Sequence, residues 1–299
     1  MSALAGCDAV TSAGHPWDKA AAGWNDHTQI IREWLRDATR MMLDAAQVSA
    51  GARVLDIAAG AGDQTLDIAR RVGANGYVLA TDISTRILEL AQHNAQAADL
   101  SQVATRVADA QSLGLDGADF DAAVSRLGLM FCNQPLAALN SARAALKPGG
   151  RYSALVFSDP QNNPCLAITM RTALQHAGLA LISSSPFTPG TLMSLGKQGL
   201  LAQLLRDAGF VDINVQSVAA PFRLPTSKQY IHFLRSAASP VIEILASLSE
   251  AKKRDAWADI EAQLTVFTTP SGWVGPNELL LGTATASVVL HSVCHLSGG

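Results

Sequence analysis

The sequence predicts an α/β protein with a doubly wound, mostly parallel sheet of seven strands and helices on both faces. Between residues 53 and 158, short apolar runs alternate about five times with helical segments. This pattern is typical of parallel strands joined by crossover helices. Hydrophobic residues make up 48% of the 299-residue chain, which is enough to bury the core of one large domain or of a domain with an appended subdomain.

A helical segment over residues 1–50 is expected before the sheet. Trp24, His27, Ile31 and Trp34 recur at three- and four-residue spacing, as residues on one face of a helix do. The pattern extends from about residue 17 to residue 48, and Gly51 ends it.

The seven strands are predicted from short apolar or alternating runs bounded by turn residues. Ser84 is the expected N-cap of the helix after the second strand, and Pro135 opens the helix after the fourth. Lys147-Pro148-Gly149-Gly150 is expected to be a turn. In chain order the strands are RVLDIAA (53–59), GYVLATD (76–82), QVATRVAD (102–109), DFDAAVSR (119–126), RYSALVFS (151–158), VDINVQSVAA (211–220) and ELLLGTATASVVL (278–290).

A mainly helical stretch over residues 226–265 separates the last two predicted strands. An insertion at that point lies near the ligand edge of such a sheet, so we interpret it as a lid over a substrate site. The chain is therefore predicted to consist of a helical segment (1–50), an α/β core (51–225), the lid (226–265), and a last strand that completes the core with a C-terminal tail (266–299).

Composition and charge exclude several classes of function. The net charge of −3 and the scattered basic residues do not favour binding to nucleic acid or to an anionic membrane. No run approaches the roughly 18–20 apolar residues of a membrane helix, and no signal peptide is evident. Cys7, Cys132, Cys165 and Cys294 form no CxxC pair and have no histidine at metal-ligand spacing. We therefore expect a cytoplasmic protein, monomeric or homodimeric, without a metal site.

The stretch VLDIAAGAGDQT (54–65) is the first candidate ligand site. Gly60 and Gly62 permit a sharp turn and a close approach of backbone to a ligand. A dinucleotide motif would need a third small residue where Thr65 stands, and a P-loop would need a lysine. Phosphate therefore has no evident partner, although the glycines could also serve the turn alone.

Acidic residues recur one strand–helix unit apart along the core. Asp56, Asp82 and Asp109 lie at or near the ends of the first three strands, and Asp63 follows the glycines. The carboxyl ends of parallel strands meet at one edge of the sheet, so these side chains should gather there. Carboxylates suit a ligand with hydroxyls, an amine and positive charge. Asp63 could instead be the N-cap of the next helix.

Five stretches resemble the class I S-adenosylmethionine-dependent methyltransferases, most closely the small-molecule group that contains the ubiquinone/menaquinone-type C-methyltransferases. The resemblance covers about residues 17–220 and implies a Rossmann-like fold with S-adenosylmethionine as cofactor and S-adenosylhomocysteine as product. Ala58 stands where the family usually carries another glycine. The stretches are VLDIAAGAGD (54–63), LATDIS (79–84), RVADAQSL (106–113), FDAAVSRLGLMF (120–131) and ALKPGGR (145–151).

The resemblance also implies a set of cofactor-binding residues. Asp82 would accept from the ribose hydroxyls, and Asp109 with the Ala110 N–H would recognise adenine, with Ile83 packed on its ring. Arg126 could instead anchor Asp121 or a helix end. The full set is Trp17, Trp24, Asp56, Ala59, Gly60, Gly62, Asp82, Ile83, Asp109, Ala110, Ser125 and Arg126.

The second half of the chain is expected to bind a small, largely apolar acceptor, such as a polyketide, phenol, quinol or terpenoid, methylated on O, C or N. Phe187, Met193, Phe222 and Phe233 are candidates for its pocket. His27, Tyr230 and His232 are candidates for a catalytic base. The alternatives are a cofactor-binding protein that catalyses cyclisation without methyl transfer and, less favoured by the motifs, a nicotinamide-dependent oxidoreductase or a nucleic-acid methyltransferase.

Overall fold

The computed structural model describes residues 16–115, 117–179 and 185–287. Its main sheet has seven strands in the order β3-β2-β1-β4-β5-β10-β6, in which β10 runs antiparallel to the other six. This confirms the predicted seven-stranded, mostly parallel sheet. The strands are β1 (Arg53–Ile57), β2 (Tyr77–Asp82), β3 (Val103–Val107), β4 (Phe120–Arg126), β5 (Leu146–Phe157), β6 (Phe210–Ala219), β7 (Phe222–Leu224), β8 (Thr268–Thr269), β9 (Gly272–Gly275) and β10 (Glu278–Ala286).

Ten α-helices surround the sheet in the described part of the chain. The predicted N-terminal segment is two helices separated at His27, and Ser84 caps α4 by accepting from the Ile87 N–H. The helices are α1 (Pro16–Asp26), α2 (Thr28–Ala45), α3 (Asp63–Val72), α4 (Thr85–Ala97), α5 (Pro135–Ala145), α6 (Pro164–His176), α7 (Leu200–Asp207), α8 (Ser227–Ala237), α9 (Ser239–Leu245) and α10 (Glu250–Leu264).

The structure differs from the sequence prediction at the start of β5. The residues Lys147–Gly150 lie inside this strand, where the pairing with β4 jumps from Phe120–Leu146 to Ala122–Arg151. Gly149 has a φ of +81°. The turn-forming residues therefore make an irregularity within the strand instead of a loop before it.

A second, three-stranded sheet was not predicted. It has the order β7-β9-β8 and is antiparallel. Its strands have two to four residues, too few for a hydrophobic period to be recognised. Trp273 of β9 is 1% exposed and donates from Nε1 to the Leu264 carbonyl at the end of α10, so this sheet anchors the helices that lie between β6 and β10 in sequence.

No helix in the described ranges is both long and apolar enough to cross a membrane. In the same ranges, no three His, Cys, Asp or Glu side chains are grouped in a way that could hold a metal ion. Cys132 and Cys165 are buried free thiols, whereas Cys7 and Cys294 lie outside the described residues.

Candidate active site

The turn between β1 and α3 forms one wall of a cavity of about 280 Å³. Gly60, with a φ of +58°, lines this cavity and donates its N–H to Asp82 Oδ2 at 3.0 Å. A Cβ at Gly60 would lie 3.4 Å from Nε1 of Trp24. The backbone at this point is therefore held between a carboxylate and an indole, and no side chain of its own covers it.

Gly62 has a different position from Gly60. A Cβ at residue 62 would lie 3.0 Å from Cα and Cβ of Ala91 in α4, and the φ of Gly62 is +86°. Gly62 is not among the residues that line the cavity. It allows α3 and α4 to pack closely, and its predicted role beneath the cofactor stays a prediction.

Two of the predicted acids lie on the cavity with Gly60. Asp82 is 9% exposed and accepts from the backbone N–H groups of Gly60 and Ser84, both at 3.0 Å. Asp109 is half-buried and accepts from the Gln111 N–H at 2.8 Å. Ala59, Ile83 and Ala110 also line the cavity, so the tips of the first three strands form one end of it, which we call the cofactor end.

Asp56 is buried behind this wall. Its carboxylate accepts from the Thr65 hydroxyl at 2.6 Å and from Gln64 Nε2 at 3.0 Å. Burial raises the pKa of Asp56 to about 6, although both hydrogen bonds oppose the shift. Gln64 lines the cavity and Asp56 does not. The hydrogen bond from Gln64 therefore links the buried Asp56 to the cavity wall.

Arg126 occupies the end of β4 and is 6% exposed. Its Nη2 lies 2.5 Å from Asp63 Oδ2, and its Nη1 donates to Thr39 Oγ1 at 2.9 Å. Arg126 thus anchors Asp63, the first residue of α3. The sequence had left open whether Arg126 would anchor Asp121 or a helix end, and the structure shows the helix end. Arg126 also lines the cavity. Ser125 is buried beside it but does not line the cavity.

Helix α1 covers the cofactor end. Trp17 and Trp24 of α1 line the cavity and pack edge to face with ring centroids 6.3 Å apart. Asp18 accepts from the Ser84 hydroxyl, and Asn25 accepts from Asn94 Nδ2 at 2.9 Å. These polar contacts fasten α1 to α4, so a ligand at this end is shielded from water.

The opposite end of the cavity, which we call the acceptor end, is lined by apolar side chains. Of the predicted pocket residues, Phe222 and Phe233 line it, whereas Phe187 and Met193 do not. The lining residues of this end are Trp34, Phe157, Leu166, Thr169, Met170, Phe222, Tyr230, Phe233, Leu234, Ala237, Ala238, Pro240 and Val241.

The three predicted bases have different surroundings. His27 and His232 do not line the cavity. The His27 Nε2 lies 2.9 Å from Ser236 Oγ, and its ring packs edge to face on His232 at 5.2 Å. Burial and the neighbouring His232 lower the pKa of His27. These histidines join the α1–α2 junction to α8, so the geometry does not support either as a base.

Tyr230 lines the acceptor end and is fully buried. Burial raises its pKa well above the ordinary value for a phenol. Its hydroxyl is therefore neutral at physiological pH, and removal of its proton is disfavoured. The structure thus does not support Tyr230 as a base.

Sequence reasoning missed several lining residues, three of which are informative. Gln64, Gln111 and Leu127 all line the cavity. Gln111 follows Asp109 by two residues and could have been found from that spacing. Leu127 has a φ of +60°, a conformation that costs a branched residue free energy and is often found at functional sites; no sequence signal indicates it.

Comparisons with a family model and with individual sequences point to the same family. A sequence model of the ubiE/COQ5 methyltransferase family matches residues 27–222, about two thirds of the chain. The ubiquinone/menaquinone biosynthesis C-methyltransferase of Methylococcus capsulatus is 38% identical over 134 residues, which are 44% of this chain and 52% of that protein. The 2-phytyl-1,4-naphtoquinone methyltransferase of Nostoc punctiforme is 33% identical over 138 residues, 44% of this chain and 60% of that protein. The chain spans about half the length of most of the curated relatives it matches.

Solved structures share the fold at low sequence identity. Phosphoethanolamine N-methyltransferase 2 of Haemonchus contortus, solved with S-adenosyl-L-methionine, has a TM-score of 0.55 and 14% identity over 88% of this chain and 57% of that one. The [4+2]-cyclase SpnF has a TM-score of 0.54 and 17% identity over 91% of this chain and 97% of that one.

The strand order, the glycine turn with its acids and the matched span all lead to the same conclusion. The chain belongs to the ubiE/COQ5 methyltransferase family, which confirms the predicted resemblance to class I S-adenosylmethionine-dependent methyltransferases of the ubiquinone/menaquinone type.

Proposed function

We propose that this protein transfers the methyl group of S-adenosylmethionine to a small, flat, largely apolar acceptor of the quinol or phenol type. The observation that carries the proposal is that one cavity joins two chemically different ends. Asp82, Asp109 and the bare backbone of Gly60 lie at one end, and aromatic and aliphatic side chains lie at the other.

The residues at the cofactor end fit the proposed cofactor. A side chain at Gly60 would fill the space between the backbone and Trp24, and the two carboxylates suit the hydroxyls, the amine and the cationic groups of the molecule. Asp82 would hold the ribose, Asp109 and Ala110 the adenine, and Gly60 with Gln64 the methionine part. When bound, the cofactor supplies a methyl group already activated by its sulfonium.

The protein's own contribution is alignment and exclusion of water. The acceptor end offers no strong base among its described lining residues, because Tyr230 is the one ionisable side chain among them and burial raises its pKa. The hydroxyl of a quinol or phenol is more acidic than that of an aliphatic alcohol, so such an acceptor makes a smaller demand on a base. The relatives' names provide independent support, since they include quinone methyltransferases.

The test is turnover with a defined acceptor. The purified protein is incubated with S-adenosylmethionine and 1,4-naphthohydroquinone under reducing conditions, and S-adenosylhomocysteine and a product heavier by one methylene are measured by mass spectrometry. We expect both in equal amounts. Tight binding of the cofactor without S-adenosylhomocysteine release across a panel of quinols, phenols and amines would contradict methyl transfer. Conversion of a polyene probe under those conditions would instead support the cyclisation alternative.

A further inference from the structure

Gln111 binds the Asp109 carboxylate through both its backbone and its side chain. The Gln111 N–H donates to Asp109 Oδ1 at 2.8 Å, and Gln111 Nε2 donates to Oδ1 at 3.2 Å and to Oδ2 at 3.0 Å. The Asp109 carbonyl accepts from the Ser112 N–H at 2.9 Å. An aspartate that accepts from the backbone two residues further on stabilises a tight turn, so this turn folds Gln111 back onto the carboxylate.

The orientation of the Gln111 amide is fixed from its other side. Its Oε1 accepts from the backbone N–H of Gln134 at 2.7 Å, and Gln134 directly precedes α5. A backbone N–H can only donate, and an ionised carboxylate can only accept. The amide must therefore direct Oε1 toward Gln134 and Nε2 toward Asp109, because the reversed amide would lose the hydrogen bonds on both sides.

These contacts leave the Asp109 carboxylate with room for one more donor. Each carboxylate oxygen has about two positions at which it can accept. Oδ1 already accepts twice and Oδ2 once, and no other donor bonds this carboxylate in the part of the chain that the structure describes. Asp109 and Gln111 are both half-buried and line the cavity. A position on Oδ2 therefore remains for a donor on a ligand.

We propose that Gln111 is a positioning residue, which holds the Asp109 carboxylate so that Oδ2 accepts from the adenine amine and the site prefers adenine to a purine with oxygen in place of that amine. This inference rests on the proposed function, which places adenine beside Asp109. An oxygen at that place cannot donate, so it would leave the carboxylate without its hydrogen bond. Gln111 acts through Asp109 and takes no part in methyl transfer.

The test compares the binding of S-adenosylhomocysteine with that of S-inosylhomocysteine, which carries an oxygen in place of the adenine amine. Calorimetric titration of the full chain gives both affinities. We expect the wild type to prefer S-adenosylhomocysteine by at least about tenfold, as for a hydrogen bond to a charged group. Gln111→Met keeps the length of the side chain but removes both polar atoms, so the preference should fall by at least about threefold.

Gln102→Met is the matched control. Gln102 is also half-buried and donates its Nε2 to the Ala69 carbonyl at 2.9 Å, but it does not line the cavity. This variant should keep the preference. Gln111→Met is also made in an Asp109→Ala background, where it should change the preference little because the carboxylate that it positions is gone. Urea unfolding checks that each variant is folded.

Three results would overturn the inference: no preference in the wild type, an unchanged preference in folded Gln111→Met, or an equal loss of affinity for both ligands in that variant. A further fall in preference in the Asp109→Ala background would overturn it too, because Gln111 would then not act through Asp109. Failure of S-adenosylhomocysteine to bind to the wild type would instead count against the proposed function, so the two failures can be told apart.

Discussion

The two ends of the cavity are built in different ways. At the cofactor end, residues at strand tips are fixed by backbone hydrogen bonds and ion pairs, such as Gly60 to Asp82 and Arg126 to Asp63. At the acceptor end, helices present apolar side chains such as Phe233 and Leu234, which are held by packing. Directional contacts are specific for one ligand. An apolar wall can bind several ligands of similar shape, and a few polar atoms then determine which of them is preferred.

The largest expected effect tests whether the cofactor end depends on its buried charges. Arg126→Met would leave the Asp63 carboxylate with only Arg32, 3.5 Å away and half-exposed. An uncompensated buried charge typically costs about 3–5 kcal/mol, so we expect unfolding in urea to show a loss of about 3 kcal/mol.

The control for this prediction is Lys253→Met, which breaks the exposed pair with Glu250. Exposed pairs contribute at most about 1 kcal/mol. Equal stabilities of the two variants would show that the Arg126–Asp63 pair is not the structural anchor inferred here.

The next prediction addresses the cofactor itself. Asp82→Ala should weaken binding of S-adenosylmethionine by about 1–3 kcal/mol, because hydrogen bonds from the ribose to a carboxylate would be lost. Calorimetric titration measures this difference. Glu89→Ala is the matched control, since Glu89 is an exposed acid in α4 that does not line the cavity. Unchanged affinity in a folded Asp82→Ala variant would refute the placement of the ribose.

Part of this site could be predicted from the sequence, and the reason is geometrical. Asp82 and Asp109 can be predicted from their spacing of one strand–helix unit, because the carboxyl ends of parallel strands meet at the same edge of the sheet. The acceptor end cannot be found in this way. Its wall depends on how α6, α8 and α9 pack together, and on a sheet of very short strands that positions Trp273 against Tyr230. Helix packing of this kind has no local signal in the sequence.

Gly60 and Gly62 test how far the sequence predicts the cofactor end, since the sequence pattern predicted that both would lie beneath the cofactor. Gly62→Ala should destabilise the fold by about 1–3 kcal/mol, because the new methyl group meets Ala91 and the left-handed backbone disfavours it. Cofactor affinity of the folded fraction should change little. Gly60→Ala should instead weaken cofactor binding, because its methyl group would point toward Trp24. Urea unfolding and calorimetry on both variants separate the two roles, and equal losses of affinity would contradict them.

The smallest expected effect concerns Ala58, where the family usually has glycine. Ala58 has a φ of +57°, which costs a residue with a Cβ about 1–2 kcal/mol, whereas glycine would lose about 0.5–1 kcal/mol in entropy. Ala58→Gly should therefore raise the free energy of unfolding by at most about 1 kcal/mol.

Gly128 explains how the chain accommodates Ala58. A Cβ at residue 128 would lie 2.3 Å from the Ala58 Cβ and 3.1 Å from Ser125 Oγ. The glycine at residue 128 therefore leaves room for the Ala58 methyl group. Gly128→Ala should be strongly destabilising alone and less so in the Ala58→Gly background, because the closest clash is then removed. Additive effects in this double-mutant cycle, measured by urea unfolding, would show that Gly128 is needed for another reason.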